Sequence, residues 1–237
     1  MKLRVMSFNI QHGFNHKTKA GIDFEIMADT IRQCDPDVVG LNEVRGLGKS
    51  AEYTAQAETL AAMLGYHCYF GRSIYVGGTE PYGNAILSKY PIVAARIIRI
   101  PDPIPRSPRV ESRTITRAEF EMPDGKSFAA FISHFGLSEA ELEHAASTAL
   151  TAFRDEKLPC VLMGDFNMTP DNPLLAPLFA EFVSTSPYTD GKFSFPSDNP
   201  RIKIDYIFAS RNVTVTAADI PQITASDHCP IWADIEF

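Results

Sequence analysis

Two rhythms of apolar residues run along this chain. Short apolar or alternating runs at 2–10, 37–42, 66–71, 84–88, 92–99, 114–121, 127–134, 159–164, 203–209, 212–219 and 230–237 predict strands. Apolar residues at helical spacing predict three helices at about 23–34, 52–64 and 138–154. Ser138 followed by Glu141 has the form of a capping box and marks the start of the third helix. Asp124-Gly125, in "MPDGKS", signals a hairpin between two strands. Many strands with few helices predict two packed sheets carrying helices on their outer faces. The central hairpins argue against a purely parallel, doubly wound sheet. No repeat, low-complexity tract or Gly/Ser linker interrupts the pattern, so one domain spanning 1–237 is expected.

The pattern has a recurrent irregularity. "PCVLMGDFNMTP" reads as a buried strand from Cys160 to Met163, yet it runs into Asp165 and Asn167. A carboxylate at the edge of a core is costly unless something pairs with it. The same happens elsewhere: Asn9 in "VMSFNIQHG", Asn42 and Glu43 in "DVVGLNEV", His134 in "AAFISHFGL", Asp205 in "IKIDYIFAS", and Asp227 with His228 in "TASDHCPIWADIEF". Singly, each has an ordinary structural explanation, as a bonded core amide, a turn cap, a neutral buried imidazole or half of an ion pair. Together, Glu43, Asp165, Asp205 and Asp227 are four carboxylates at sheet ends. Gathered without a cation, they would raise one another's pKa values. Oxygen ligands with accompanying amides suit a hard divalent ion, Mg²⁺ or Mn²⁺, rather than Zn²⁺.

Composition narrows the partners. With 22 Lys and Arg against 29 Asp and Glu, the net charge of −7 disfavours broad polynucleotide binding, which needs a positive footprint. One stretch, Arg96 to Arg117, carries six arginines but no aromatic residue to stack on a base. The four cysteines (Cys34, Cys68, Cys160 and Cys229) are scattered without a CxxC pair, as expected of reduced, mostly buried thiols. "MKLRVMSFNI" starts directly as a strand, and no apolar run approaches the roughly 20 residues of a membrane span. No signal peptide or transmembrane segment is expected, and a cytoplasmic location is.

In order along the chain, "SFNIQHG", "LNEV", "YGNAILSKYPI", "ESRTITRAEF", "ISHFGL", "GDFNMTP", "IDYIF" and "SDHCPIWADI" resemble the endonuclease/exonuclease/phosphatase superfamily, whose members share the deoxyribonuclease I-like fold. "GDFN" or "SDH" alone would be a weak match; the full series covers essentially the whole sequence. The resemblance implies an α/β fold, a four-layer α/β/β/α sandwich with the active site at one end of two mixed sheets. It also implies a metal-dependent phosphoric ester hydrolase. Glu43 then looks like the principal metal ligand, with Asn9 beside it and Asp227 accessory. Asp165 and Asn167 look like the pair that positions the attacking water and a phosphate oxygen. Asp205 and His228 look like a hydrogen-bonded dyad, and His134 like a phosphate contact. Arg113 matches a position that orders the site, and with Asn84, Arg106 and Arg109 it is a candidate for binding substrate.

The residue types also make chemical sense without the family. Phosphoester hydrolysis needs charge compensation on the phosphoryl oxygens, here from the ion, a protonated His134 and Asn167. It needs an aimed water and a group that takes its proton. Asp165 is the preferred base, with His228 the open alternative. Gln11 stands where the abasic-site endonuclease branch has an acidic residue, and the inositol polyphosphate 5-phosphatase signatures are missing after "GDFN" and at "IDYIF". His12 and His16 flank the first motif; His12 is a candidate for the mouth of the site and His16 is expected in a surface turn. A small molecule or lipid headgroup is favoured as substrate, with Arg106 and Arg109 reaching a second anionic group. A nuclease is the nearest alternative. A catalytically silent binding module would be expected to have lost part of this set, and every position is filled.

Overall fold

In the first strand, β1 (Lys2–Asn9), Leu3 and Val5 enter one apolar cluster while Met6 and Phe8 enter another. A strand buried on both faces must lie between two layers. The computed structural model describes residues 1–107 and 110–237. After β1 come α1 (Phe24–Cys34), β2 (Val38–Arg45), α2 (Gln56–Leu64), β3 (His67–Val76) and β4 (Glu80–Ser88). Then follow β5 (Ile92–Arg99), β6 (Thr114–Glu121), β7 (Ser127–His134), α3 (Glu139–Arg154) and β8 (Cys160–Asp165). The remainder is α4 (Ala176–Glu181), β9 (Val183–Ser184), β10 (Asp205–Ala209), β11 (Thr214–Asp219) and β12 (Ile231–Glu236).

The strands form two mixed six-stranded sheets, ordered β11-β12-β1-β2-β4-β3 and β5-β6-β7-β8-β10-β9. Each has one parallel pair at its centre, β1 with β2 and β7 with β8. Three apolar layers separate the elements. Val5, Val38, Phe128, Ile132, Met163 and Ile207 lie between the sheets. Phe8 and Leu41 pack on Met27, Ile31 and Leu60 of α1 and α2. Phe131, Leu162 and Phe208 pack on the helical residues Phe153 and Leu178. The expected four-layer α/β/β/α sandwich is the observed architecture.

Local signals account for the boundaries. The Ser138 hydroxyl accepts from the Glu141 backbone, and Glu141 returns a bond to the Ser138 N–H, closing the capping box. The β6–β7 hairpin turns at Asp124-Gly125, where the Asp124 carboxylate accepts from the Lys126 N–H. Three expectations shift. The second helix begins at Gln56 rather than 52, β2 continues to Arg45, and the β3–β4 hairpin extends to Gly77 and Gly78. The six-residue α4 and two-residue β9 carry too few residues for a readable period, and Pro177 sits inside α4.

Topology gathers the ends of the strands. Parallel β1 and β2 bring Asn9 beside Asn42, and parallel β7 and β8 bring His134 beside Asp165. Antiparallel β10 enters at the same edge, placing Asp205 opposite Asp165. Residues far apart in sequence therefore meet at one end of the sandwich.

Candidate active site

Strand alternation dictates where these side chains point. On β8, Val161 and Met163 belong to the layer between the sheets, and Asp165 continues that parity. On β7, Phe128, Ala130 and Ile132 lead to His134; on β10, Asp205 shares the parity of Ile207 and Ala209. On β1, Leu3 and Val5 lead to Asn9. The apolar layer between the sheets thus becomes polar at one end, where Asn9, Asp165, Asp205 and His228 are all at most 4% exposed.

Glu43 reaches the site by a different route. The pairing of β2 with β4 shifts between Leu41 and Val44, a bulge that re-aims the carboxylate. Its backbone is left-handed, with φ 60°, as are Gln11 (45°), His12 (47°) and Asn167 (52°). Such conformations cost on the order of 1–3 kcal/mol each and persist where the surroundings over-determine them. Gln56 is one such restraint, donating to the His12 carbonyl at 2.8 Å and accepting from the Arg45 N–H at 3.0 Å. Gly164 serves β8 similarly. With φ +143°, a Cβ there would lie 1.8 Å from the Ser133 carbonyl oxygen.

Asp165 is the hub. Its Oδ1 accepts the Asn167 N–H at 2.9 Å. Its Oδ2 lies 3.2 Å from Asn9 Nδ2, 3.4 Å from His134 Nε2 and 3.5 Å from His228 Nε2. Burial raises the Asp165 pKa to about 7; the charge of Asp205 adds to the rise and that of His228 opposes it.

The two imidazoles are held in opposite states. Arg113 Nη1 donates to His134 Nδ1 at 3.2 Å, so the proton of the neutral ring sits on Nε2, facing Asp165. Burial and the Arg113 charge push the His134 pKa down to about 3. The expectation of a protonated His134 is therefore corrected: the ring is a neutral donor. His228 loses some basicity to burial, but Asp205, bonded to Nδ1 at 2.8 Å, and Asp165 beyond Nε2 raise its pKa to about 10.

On the other flank, Glu43 accepts from Asn9 at 3.1 Å and from the Tyr82 hydroxyl at 3.0 Å, with His12 Nδ1 at 3.8 Å. Burial would raise its pKa, but the contacts with His12, Asn9 and Tyr82 outweigh burial and hold the carboxyl ionised. Asp227 has its pKa raised by burial and by the nearby negative charge of Glu43. An oxygen-rich set with mutually repelling carboxylates fits a hard divalent cation. Ligand atoms of Asp165, Asp205 and His228 also gather within 4.8 Å of one another, with Asp205 Oδ1 buried and unpartnered.

The family's sequence profile matches residues 6–228. The chain belongs to the endonuclease/exonuclease/phosphatase family. No curated protein matches it at the sequence level. Among solved structures, it is similar to an endonuclease/exonuclease/phosphatase from Beutenbergia cavernae, with TM-score 0.80 and 23% identity over 100% of this chain and 72% of that one. A mannosyl-6-phosphatase from Bacteroides thetaiotaomicron gives TM-score 0.81 and 18% identity over 99% and 100%. A 2',3'-cyclic phosphatase in complex with adenosine-2',3'-vanadate gives 0.73 and 16% over 99% and 95%.

In this family member some residues singled out from sequence stand elsewhere. Asn84 is buried, accepting from Asn42 at 2.8 Å and donating to the Thr114 carbonyl at 3.2 Å. Both ends of its amide are used inside the sandwich. Arg106 bonds Asp102 at 2.7 Å and the Val110 carbonyl within its own loop. Arg109 lies outside the described residues. His16 lies in a turn, as expected, half-buried with its Nε2 3.6 Å from Asp198. Sequence reasoning missed Tyr82, Gln56 and the bridging role of Asn42. Tyr82 lay inside "YGNAILSKYPI", the one signal that would have found it.

Proposed function

We propose that this chain, a single catalytic domain, is a divalent-metal-dependent hydrolase of a small phosphoester, acting by in-line attack of a water on phosphorus. The observation that carries this reading is the convergence of Asn9, His134 and His228 on one oxygen of the buried Asp165. A carboxylate with pKa about 7 is matched to accept a proton from water near neutrality. His228, already an imidazolium there, is poorly placed to act as base. Held by Asp205, it stabilises negative charge building on the phosphoryl oxygens. His134 donates from Nε2 as a neutral group. Asn167 spends one amide hydrogen on the Phe135 carbonyl and keeps the other for a phosphate oxygen.

Glu43 and Asp227 would hold Mg²⁺ or Mn²⁺, with Asn9 beside them. The tighter group of Asp165, Asp205 and His228 is less suited, because His228 Nδ1 is already bonded to Asp205 at 2.8 Å and its Nε2 faces Asp165. A bound ion would compensate charge on the phosphoryl oxygens. The substrate class follows from charge. At −7, the protein lacks the basic footprint of a polynucleotide binder, and Arg106 is neutralised by Asp102. A small phosphoester or lipid headgroup fits better, and the names of the two phosphatases above support a phosphoester substrate. The four free cysteines suit a cytoplasmic location. Among the described residues, no helix is long and apolar enough to cross a membrane.

The test is hydrolysis of bis(p-nitrophenyl) phosphate. Turnover that needs Mn²⁺ or Mg²⁺, stops with EDTA and disappears in Asp165→Asn is expected; turnover unaffected by the substitution would overturn the reading. A companion competition compares kcat/KM on small phosphodiesters and on duplex, single-stranded and abasic oligonucleotides. A hundredfold win for an oligonucleotide, about 2.7 kcal/mol of transition-state binding, would replace the small-substrate reading with a nuclease.

A further inference from the structure

Lys203 lies two residues before Asp205, at the entry to β10, and is only 6% exposed. Its ammonium donates to Thr189 Oγ1 at 2.6 Å and reaches Ser186 Oγ at 3.5 Å. Thr189 passes its own hydroxyl hydrogen to the Thr185 carbonyl, so its oxygen is free to accept. Among the described residues, no carboxylate lies within ion-pair distance of Lys203; Asp190 acts on it only through space. Its other partner is the Tyr206 ring, 5.6 Å away; a buried ammonium held by neutral hydroxyls and a ring face, with no carboxylate paired to it, is under-compensated. Burial draws its pKa down to about 8.

The charge borders a cavity of about 300 Å³, also lined by Thr169, Ser186, Thr189, Phe193 and Arg201, with Asp190 the single carboxylate on its wall. Arg201 makes no side-chain hydrogen bond or ion pair among the described residues, whereas the neighbouring Lys192 is paired with Asp219. The cavity is built onto the active-site end of the second sheet. Thr169 is two residues beyond Asn167. The Tyr206 hydroxyl lies 2.8 Å from the Met168 carbonyl and 3.1 Å from that of Lys203, clamping the two segments together.

We propose that the cavity is a second anion subsite, in which Lys203 and Arg201 hold a phosphate or carboxylate carried by the same substrate whose ester is cleaved at Asp165. The proposal rests on the hydrolase reading and deepens it: the substrate is a compact molecule with two anionic groups. Lys203 supplies a desolvated point charge at the cavity wall, Arg201 a fork at its rim, and the hydroxyls orient the anion. Phe193 gives the connecting carbon skeleton an apolar surface.

Three sugar phosphates, one without and two with a second anionic group, test this: glucose 6-phosphate, glucose 1,6-bisphosphate and the open-chain 6-phosphogluconate. With Mn²⁺, kcat/KM for at least one two-anion compound should exceed that for glucose 6-phosphate tenfold or more, mainly through KM. The bisphosphate and the gluconate separate a phosphate from a carboxylate as the group received. In Lys203→Met the ratio should fall toward one, and in Arg201→Ala, a change outside the core, it should fall severalfold. Calorimetric titration of the same compounds in EDTA reads binding without turnover. If no ester is hydrolysed but two-anion compounds bind in a Lys203-dependent way, the hydrolase reading fails and the subsite stands. If esters are hydrolysed with no two-anion preference, or the preference survives both substitutions, the subsite is overturned and the hydrolase reading stands.

Discussion

Arg113 donates to Nδ1 of His134 across 3.2 Å, and that one bond settles which nitrogen of the ring carries a proton. The guanidinium also bonds Glu111 at 3.0 Å, so it is anchored from behind. His134 is thereby a neutral donor aimed at Asp165, and the positive charge beside Asp165 comes from His228.

Arg113→Met should release the tautomer and raise the His134 pKa. Followed by the NMR shift of the ring Cε1–H, the wild-type ring stays neutral until about pH 3, whereas in the variant it titrates at higher pH. Turnover should fall by about 10–100-fold, the usual penalty for losing a partner that orients a functional group. An unmoved His134 titration would remove Arg113 from this role.

The dyad should behave as a unit. Asp205→Asn and His228→Ala are each expected to cost orders of magnitude in kcat, and the double variant should be little worse than either, because coupled groups lose their effect together. Additive losses would show two independent residues.

Stability should carry the mark of the raised His228 pKa. Below its ordinary value of 6.5 the ring is charged whether the chain is folded or not, and the stabilisation is complete. As pH rises, the unfolded ring loses its proton while the folded ring keeps it, so the contribution declines and is gone by about pH 10. Urea unfolding in EDTA should show this fall between pH 6.5 and 10, and His228→Gln should flatten it.

Asp165 predicts a trade between activity and stability. Its carboxyl is raised from 3.8 to about 7, so its contribution is favourable only at low pH and becomes a penalty as pH rises through 7. At pH 8 without metal, Asp165→Asn should unfold at higher urea by about 0.5–2 kcal/mol while abolishing turnover, as expected of a strained functional group. A destabilised Asn variant would contradict the direction of the shift.

Metal affinity should depend on the groups around Glu43. Glu43→Gln should abolish metal-dependent turnover with little loss of fold. Tyr82→Phe removes only the bond at 3.0 Å and should raise the Mn²⁺ needed for half-maximal activity about 10–100-fold. An unchanged metal titration in Tyr82→Phe would show that the hydroxyl does not orient Glu43.

Most of the fold was readable because its strands alternate or run apolar and its hairpin and helix cap have local signatures. The site was half readable. Asp165 and His134 stood out by ending apolar runs and Asp205 by interrupting one; each alone has an ordinary explanation, and it was their recurrence that pointed to a site. Glu43 was visible by the same rule, but the bulge that turns it was not, because two residues opposing one is a property of the pair of strands. The protonation of His134 depends on Arg113, 21 residues away and one strand over, and no pattern within either strand carries that information. Asn84 misled for the opposite reason: an amide in a family motif looks like a substrate contact, but here both its ends are consumed between the sheets.

The bridge made by Asn42 sets how the molecule should fail. From β2 it donates to the Ser133 carbonyl at 3.0 Å and accepts the Asp165 N–H at 3.0 Å, joining one sheet to the other directly behind Asp165. Glu43 and Asn9 ride on the first sheet, and Asp165, Asp205 and His134 on the second. The proposed catalytic groups therefore straddle a seam, and a slip of one half against the other should misalign them before either half melts. Heat or pressure should silence the enzyme while its circular dichroism is still native, which makes turnover a gauge of how tightly the seam is closed.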